Sequence, residues 1–136
     1  MSDLSTALLS DGIADYLASL GIGTVGTNIF VNNLPAVDNC ISIFDTGGET
    51  SDIRQGIDYP TLQIRVKNTD TSAAYKKLMT IHDKLHMLHN ITLGNGIHII
   101  DSIARQSAPM ILSTDFGADF TMNYTLTVSN DTVWRD

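Results

Sequence analysis

The residues best suited to do chemistry are two histidines, His82 and His86, which lie four positions apart with Asp83 between them. On a helix this spacing places both imidazoles on one face, where they can bind a metal ion. In metal-dependent hydrolases the residue after the first histidine is a glutamate that activates a metal-bound water. Aspartate is one methylene shorter, so its reach to such a water is reduced and the pattern is a weak indication of catalysis.

The same two histidines also have a simpler structural interpretation. Together with Tyr75, Met79 and His89 they form a stripe beside the apolar stripe of the helix, a composition that is ordinary for a half-buried flank. We therefore predict that this flank packs or contacts a partner and that no metal is bound. A small metal-dependent hydrolase that uses the His-Asp-His cluster is the alternative from a different functional class.

A second pattern, Gly21-x-Gly23-x-x-Gly26, matches the fingerprint of dinucleotide-binding proteins. That fingerprint works only when a strand precedes it and a helix N-terminus follows it, because the amide groups and the helix dipole must meet the pyrophosphate. Here a predicted helix precedes the glycines and a predicted strand follows them. The pattern therefore predicts a helix-to-strand connection and no cofactor.

The remaining polar residues give no support to nucleophilic or acid–base catalysis. The serines lie in no nucleophile-elbow pattern, and Cys40, the single cysteine, lies in an apolar run that predicts a small buried side chain and no disulfide. We interpret the carboxylates as solvated turn and loop residues. The sequence thus predicts a protein that is not an enzyme. The carboxylates in question are Glu49, Asp52, Asp115, Asp119 and Asp131.

Length and composition predict one globular domain over residues 1–136. Of the 136 residues, 43% are hydrophobic and 17% are charged, which is typical of a folded domain and not of a disordered chain. The formal net charge of −7 and the scatter of only eight basic residues argue against a surface that grips nucleic acid. No signal peptide and no segment of transmembrane length is expected.

The elements that must position these residues are clearest between residues 59 and 89. Leu62, Ile64 and Val66 alternate with polar residues, which predicts a half-buried strand over residues 61–67. Apolar residues then recur at helical spacing, which predicts a helix from Thr71 to about Leu88 with Asp70 or Thr69 as its N-cap.

Further elements complete the predicted fold. We predict an N-terminal helix over residues 3–20 ended by Gly21, strands at residues 28–31 and 40–44, a mobile loop at residues 45–57, and an antiparallel meander of strands at residues 97–104, 110–114 and 120–128. The predicted fold class is α+β, a mainly antiparallel sheet with one long helix packed on its apolar face and an N-terminal helix.

The order of these features resembles the tail-terminator proteins of long non-contractile-tailed bacteriophages, a family also described as minor capsid or head–tail joining proteins. The shared features are a Tyr-Pro pair, an alternating strand with Gln and Arg facing outward, a polar turn with Asp, and a helix that begins with Ala-Ala. The residues that carry the resemblance are Tyr59, Pro60, Gln63, Arg65, Val66, Asp70, Ala73, Ala74, Ile81 and Leu85.

The resemblance implies a structural virion protein that works by shape and contact. It implies a ring, typically a homohexamer, that sits on the tail tube, ends tube polymerisation and offers a docking surface to the head connector. The implied partners are further copies of this chain, the tail tube protein and the head-closure protein, while DNA passes through without specific binding. The implied location is the head–tail junction of the virion after assembly in the host cytoplasm, without a membrane.

Within this interpretation, two surfaces are candidates for contacts. The polar rows of the two long strands, Gln63, Arg65 and Lys67 with Thr121, Asn123 and Thr125, are candidate interface residues, and Trp134 is a candidate anchor. We expect the acidic loop at residues 46–55, which carries Glu49, Asp52 and Arg54, to face the lumen or the tube. Another neck component, such as a head-closure or tail-completion protein, is the alternative within the same class.

Overall fold

A computed structural model describes residues 8–35, 39–52, 57–86, 88–105, 109–113 and 118–129. These ranges form two helices, α1 (Leu9–Ser19) and α2 (Thr71–Leu85), and seven strands. The strands are β1 (Ile29–Val31), β2 (Cys40–Asp52), β3 (Ile57–Asn68), β4 (His89–Thr92), β5 (His98–Ala104), β6 (Met110–Ser113) and β7 (Ala118–Ser129).

The predicted fold class is wrong. The fold is mostly β, with about half of the described residues in strands and about a quarter in helices, and its sheet is mixed and curled. β1 runs parallel to β2, and α1 and α2 both contribute to the core, so the fold is not one long helix on an antiparallel sheet. The prediction failed because two segments form strands that their composition does not indicate. The polar residues after Phe44 have the composition of a loop, and the residues after α2 have the composition of a helix end.

The strand order is β1-β2-β3-β7-β5-β4, and β6 lies beside β7. Because β3 occupies one edge of β7 along its whole length, β5 and β6 must share the other edge. Ala104 lies opposite Tyr124, and Met110 lies opposite Thr121. β5 and β6 are therefore two segments of one interrupted strand, and the predicted meander is wrong at this point.

Alternation along the strands builds the core. All five apolar residues that alternate along β7 are buried. The predicted apolar row of β3 is confirmed, and the predicted helical stripe is buried within α2, whereas Leu88 lies after the helix and is only partly buried. The buried side chains come from β7 (Phe120, Met122, Tyr124, Leu126, Val128), β3 (Leu62, Ile64, Val66) and α2 (Ala74, Leu78, Ile81, Leu85). One continuous core therefore lies between the sheet and the two helices.

α1 is fixed at its N-terminus by a residue from the sheet. Its N-cap residue, Leu8, has no side chain that can cap. The carboxylate of Asp45 instead accepts hydrogen bonds from the Ser10 amide at 3.2 Å and from the Ser10 hydroxyl. Asn32 Nδ2 donates to the same carboxylate at 2.7 Å. A negative charge at this position also interacts favourably with the helix dipole, so a residue predicted to begin a mobile loop anchors a helix.

The curl of the sheet is seen in the contacts of α1. This helix packs on β1 and β2 at one end of the strand order. It also meets the turn between β4 and β5, where Asn95 Nδ2 donates to the Leu8 carbonyl at 2.9 Å. At Gly12 an added Cβ would lie 2.7 Å from the Leu93 side chain. A side chain at position 12 would therefore displace the ends of the Leu93 and Asn95 side chains.

α2 begins as predicted and ends earlier than predicted. Asp70 is confirmed as its N-cap, since its side chain accepts a hydrogen bond from the Ser72 amide at 3.0 Å. The helix stops at Leu85, three residues before the predicted end, because His86 is already extended. The chain then turns into β4, a strand that the sequence analysis did not predict.

The segment predicted as a loop from Asp45 to Ile57 is mostly a β-hairpin. β2 continues to Asp52, and β3 begins at Ile57, while residues 53–56 lie outside the described ranges. The glycines in this segment mark bulges: the register shifts between Asp45 and Gly48, and Gly47 and Gly48 have φ of 91° and 140°. Glycine accommodates these angles inside a strand, and the bulge bends it.

The two bulge glycines provide a matched pair for a stability test. A Cβ at Gly48 would lie 2.3 Å from the Tyr59 carbonyl oxygen, whereas a Cβ at Gly47 meets nothing within 4 Å. Gly48→Ala should therefore lower the free energy of unfolding by about 3 kcal/mol or more, because it adds a backbone clash to the backbone strain. Gly47→Ala should cost only about 1 kcal/mol of strain. Urea unfolding of both variants measures the difference, and equal losses would contradict the bulge geometry.

Candidate interaction surface

The face of β3 and β7 that points away from the helices, here called the outer face, brings six of the sequence-predicted interface residues together. In the register of these strands, Arg65 lies opposite Thr121 and Gln63 lies opposite Asn123. Lys67 and Thr125 continue the two rows at either end. The seventh predicted residue, Trp134, lies outside the described residues.

The six residues are not equally accessible. Gln63, Asn123 and Thr125 are half-buried. Thr121 is completely buried, and its hydroxyl donates to the Ile64 carbonyl at 3.3 Å. Thr121 therefore supports the outer face as a buried residue and cannot itself contact a partner.

An ion pair holds the centre of the outer face. The guanidinium of Arg65 donates from Nη2 to Asp119 Oδ2, and its Nε lies 3.4 Å from Asp119 Oδ1. The two side chains retain only 22% and 10% of their accessible surface. The prediction that Asp119 is a solvated turn residue is therefore wrong. The sequence carries no local signal for this contact, because 54 positions separate Arg65 from Asp119.

Lys67 fixes the next position along the same row. Its Nζ donates to the Pro35 carbonyl at 2.9 Å, which ties the segment after β1 to β3. Cys40, opposite Lys67 on β2, is buried, as predicted. Burial raises the pKa of the Cys40 thiol, and the nearby Lys67 ammonium lowers it by a smaller amount. A buried thiol with a raised pKa is a poor nucleophile, which supports a packing role.

The histidine flank of α2 packs against β7 and β5. His82 Nδ1 lies 3.0 Å from the Tyr124 hydroxyl, and His86 Nδ1 accepts the Ala104 amide at 3.1 Å. The two imidazoles stack with a centroid distance of 4.8 Å. Because the Arg105 amide donates to β7, the Ala104 amide points to the opposite edge of β5. His86 therefore accepts the hydrogen bond that the carbonyl of a neighbouring strand would otherwise accept.

This arrangement commits both Nδ1 atoms to protein partners. Asp83 is exposed and has no part in the stacked pair. Within the described ranges, no cluster of three or more His, Cys, Asp or Glu side chains has the arrangement of a metal site. His82 and His86 make packing contacts and hydrogen bonds within the fold, of which the sequence indicated the packing but not the hydrogen bonds.

The glycine pattern at residues 21–26 connects α1 to β1, as predicted. Gly21 ends the helix with φ of 79°, and its amide donates to the Ala18 carbonyl. The Thr24 amide donates a hydrogen bond to Asn28 Oδ1 at 2.7 Å. A helix C-terminus and not an N-terminus faces this connection, so the dipole has the wrong sign for a pyrophosphate.

Two of the three residues predicted to face a lumen or tube lie near the C-terminal end of β2. Glu49 and Asp52 occupy β2, opposite Tyr59 and Ile57. Their side chains and all of Arg54 lie outside the described part of the chain.

Exposed apolar side chains form two groups that were not predicted from the sequence. The first patch, around α1 and β1, comprises Leu8, Leu20, Val25 and Leu34. The second patch, around β5, β6 and the start of α2, comprises Tyr75, Ile100, Ile103, Met110 and Ile111. The sequence of β6 contains no charged residue, although an edge strand usually carries charge. This feature could have indicated the second patch.

Comparison with known proteins supports one family. The family model described as Bacteriophage tail terminator protein matches residues 16–129. A search of curated proteins finds no significant match. Among the described residues, no helix is long and apolar enough to cross a membrane.

The Arg65–Asp119 pair leads to a prediction about stability. Arg65→Ala should cost about 2–3 kcal/mol, since it leaves the more buried partner, the Asp119 carboxylate, without a counter-charge. Asp119→Ala should cost less, because the Arg65 side chain is more exposed. The double variant should be more stable than the sum of the single losses predicts. Urea unfolding of the four proteins completes this cycle, and strictly additive losses would show that the pair is not coupled.

The histidine flank leads to a prediction about pH. Burial, and secondarily His86, lowers the pKa of His82 below its ordinary value of 6.5, while Asp83 acts in the opposite direction. The unfolded chain therefore binds the proton more readily. The stability contributed by neutral His82 is complete above pH 6.5 and is lost as the pH falls through the lowered pKa of the folded state.

The control for this effect is His82→Gln, which keeps a polar side chain but does not titrate. Free energies of unfolding measured between pH 8 and pH 5 should fall more steeply for the unmodified protein than for this variant. Parallel pH curves for the two proteins would mean that His82 does not contribute to the pH dependence.

Proposed function

This chain belongs to the bacteriophage tail terminator family, and from that premise we propose that it forms a ring that caps the tail tube. It is a structural component of the phage virion that associates with other tail or neck proteins. In the proposed role a homohexamer sits on the last ring of the tube, ends tube polymerisation and presents a docking surface to the head connector.

The observation that carries this proposal is the extent of the family match. Residues 16–129 include every described strand, all of α2 and the end of α1. The match therefore covers the whole described sheet and not a single local motif. Capping by a ring needs no chemical step, so the proposed mechanism is steric and interfacial.

A closed ring requires a heterologous interface, in which two different patches on each subunit fit each other. The outer face is a candidate contact surface in the assembly. The half-buried side chains of Gln63, Asn123 and Thr125 are partly accessible to a partner, and the Arg65–Asp119 pair lies beside them toward the start of β7. Trp134, beside Val133 near the C-terminus, is proposed as an aromatic anchor.

The proposed lumen is acidic. The net charge of −7 suits a channel through which DNA passes without binding, because like charge reduces adhesion of the phosphate backbone. The β2–β3 hairpin, in which β2 carries Glu49 and Asp52, is proposed to face the lumen or the tube, together with Arg54, which follows β2 in the sequence. A ring structure with this hairpin on the outer rim would refute the placement.

The capping function predicts a change in tube length. When the purified chain is added to polymerising tail tube protein of the same phage, growth should stop and the mean tube length should fall as the proportion of the chain rises. Electron microscopy measures the lengths. A head-closure or tail-completion protein would leave the lengths unchanged, and that result would contradict the terminator role.

Two variants connect this assay with the outer face. Thr125→Lys places a cation among the half-buried polar residues and should weaken the shortening of tubes. Thr80→Lys places the same charge on the exposed side of α2 and should leave the shortening intact. Thermal melting of both variants checks that each remains folded.

A further inference from the structure

One edge of β6 is open for the addition of a strand. Among the described strands, β6 pairs with β7 alone. The Arg105 amide donates to the Asn123 carbonyl at 2.8 Å, so the backbone groups of Asn123 and, two positions away, of Thr121 point toward β5 and β6. Met110, opposite Thr121, therefore bonds to β7, whereas the amide and carbonyl of Ile111 point away from it. Within the described ranges, no turn or loop hydrogen bond reaches these two groups.

The side chains of β6 are apolar on both faces of this edge. Met110 lies opposite Thr121 on the outer face, while Ile111 lies opposite Phe120 on the helix side. Both remain nearly half exposed, at 49% and 45%. β6 contains no charged residue, so it lacks the charges that usually protect an edge strand from association. An added strand would pair with the open backbone and cover both apolar faces together.

Neighbouring residues extend the apolar surface on both sides. On the helix side, Tyr75 is in edge-to-face contact with Phe120, at a ring-centroid distance of 5.7 Å. Tyr75 and Ile111 therefore flank the same ring. On the outer face, Ile103 is opposite Thr125 and is 50% exposed. A strand added to β6 would thus meet an aromatic surface on one side and an aliphatic surface on the other.

The first patch, around β1, offers no comparable edge. Ile29, the first residue of β1, already donates its amide to the Thr24 carbonyl at 3.1 Å and accepts the Gly26 amide at 2.8 Å. Two lysine side chains also reach this region, where they donate to the Pro35 and Ile22 carbonyls. Strand addition is therefore favoured at β6 and not at β1.

The sequence that follows β7 has the composition that the β6 edge requires. Residues 130–136, Asn-Asp-Thr-Val-Trp-Arg-Asp, lie outside the described ranges. Thr, Val and Trp are enriched in strands. Val133 and Trp134 are adjacent, and successive side chains of a strand point to opposite faces. A strand formed by this segment would therefore present one apolar side chain to each face of the edge.

This segment cannot reach the β6 edge of its own chain. Ser129 lies opposite Ile57 at one end of β7, and Phe120, the partner of Ile111, lies nine positions earlier. At about 3.3 Å per residue, these two positions are roughly 30 Å apart along the strand. Trp134 is five positions beyond Ser129, which allows it to extend at most about 18 Å. A β6 edge that it covers must belong to another copy.

We infer that the segment around Val133 and Trp134 of one copy adds as a strand to the β6 edge of the next copy. This inference rests on the proposed ring and assigns a receiving surface to the aromatic anchor. Trp134 lies beside Ile111 and Tyr75, where an aromatic pair adds to the burial of the ring, and Val133 covers Met110. The segment and the edge lie at opposite ends of β7, so each copy donates at one end and receives at the other, as a heterologous ring contact requires.

A mixing experiment tests this contact, and Trp134 reports on it because it is the only tryptophan of the chain. Ile111→Lys blocks the receiving edge and keeps the tryptophan. The double variant Val133→Asp with Trp134→Ser keeps the edge but lacks the apolar pair and the tryptophan. Each variant alone should run as a single chain of 14.8 kDa. Light scattering after size exclusion measures the masses.

When the two variants are mixed, each supplies what the other lacks. The mixture should form a one-to-one dimer with twice the mass of one chain, which cannot grow further. The tryptophan emission, which comes from the Ile111→Lys variant alone, should shift to shorter wavelength because Trp134 leaves water.

Three controls accompany the mixing experiment. Thr80→Lys places the same charge on the exposed side of α2 and should assemble as the unmodified chain does. Met110→Lys blocks the other face of the same edge and replaces Ile111→Lys if that variant does not fold. Thermal melting checks that each variant is folded.

The contrary outcomes identify which claim fails. Rings formed by either blocked variant alone, or a mixture that stays monomeric although the unmodified chain forms rings, would overturn the strand addition but not the ring. If the unmodified chain forms rings only on tail tubes, capping of tubes by either variant alone would overturn it in the same way. An unmodified chain that stays monomeric both alone and on tail tubes would overturn the proposed function and this inference with it.

Discussion

The pairing of β7 with its neighbours is the constraint on which the rest of the structure depends. β7 pairs with β3 along one edge and with β5 and β6 along the other. Its apolar row is buried against the helices, and each such side chain contributes about 1.5–3 kcal/mol when fully buried. Surface ion pairs contribute about 1 kcal/mol or less, so the apolar row decides the register. A shift by one residue would move the entire row to the outer face.

That register also places the polar contacts. With the apolar row facing inward, the Tyr124 hydroxyl reaches His82 on α2, and Asp119 reaches Arg65 on the outer face. The same register leaves β6 beside the first residues of β7, with its other edge unpaired among the described strands. Core, outer face and open edge therefore follow from the position of one strand.

The sequence predicted those elements whose side chains follow a regular period. The alternation along residues 120–128 and the stripe through Leu78 and Ile81 indicated β7 and α2 correctly, because burial on one face leaves a period of two in strands and of 3.6 in helices. Asp70 was recognised as a cap for a local reason, since the cap and the amide it accepts from lie two residues apart.

What the sequence did not predict depends on contacts between distant segments. Gly47 and Gly48 are typical of a loop in sequence, but they form bulges within a hairpin, which is evident only once β3 lies opposite. The parallel pairing of β1, the capping of α1 by Asp45 and the pairing of Asp119 with Arg65 join residues that are far apart in the chain. The outer-face row was predicted from alternation, whereas the burial of Thr121 and the exposure of Met110 depend on which strands are neighbours.

The central claim is that this chain closes one end of a phage tail tube as a ring. Cryo-electron microscopy of tail tubes assembled with the purified chain tests it most directly, because the image gives position, copy number and symmetry together. We expect one closed ring of six copies, with sixfold symmetry, at one end of each tube. Binding along the sides of the tubes, or tubes with both ends bare at saturating protein, would contradict it.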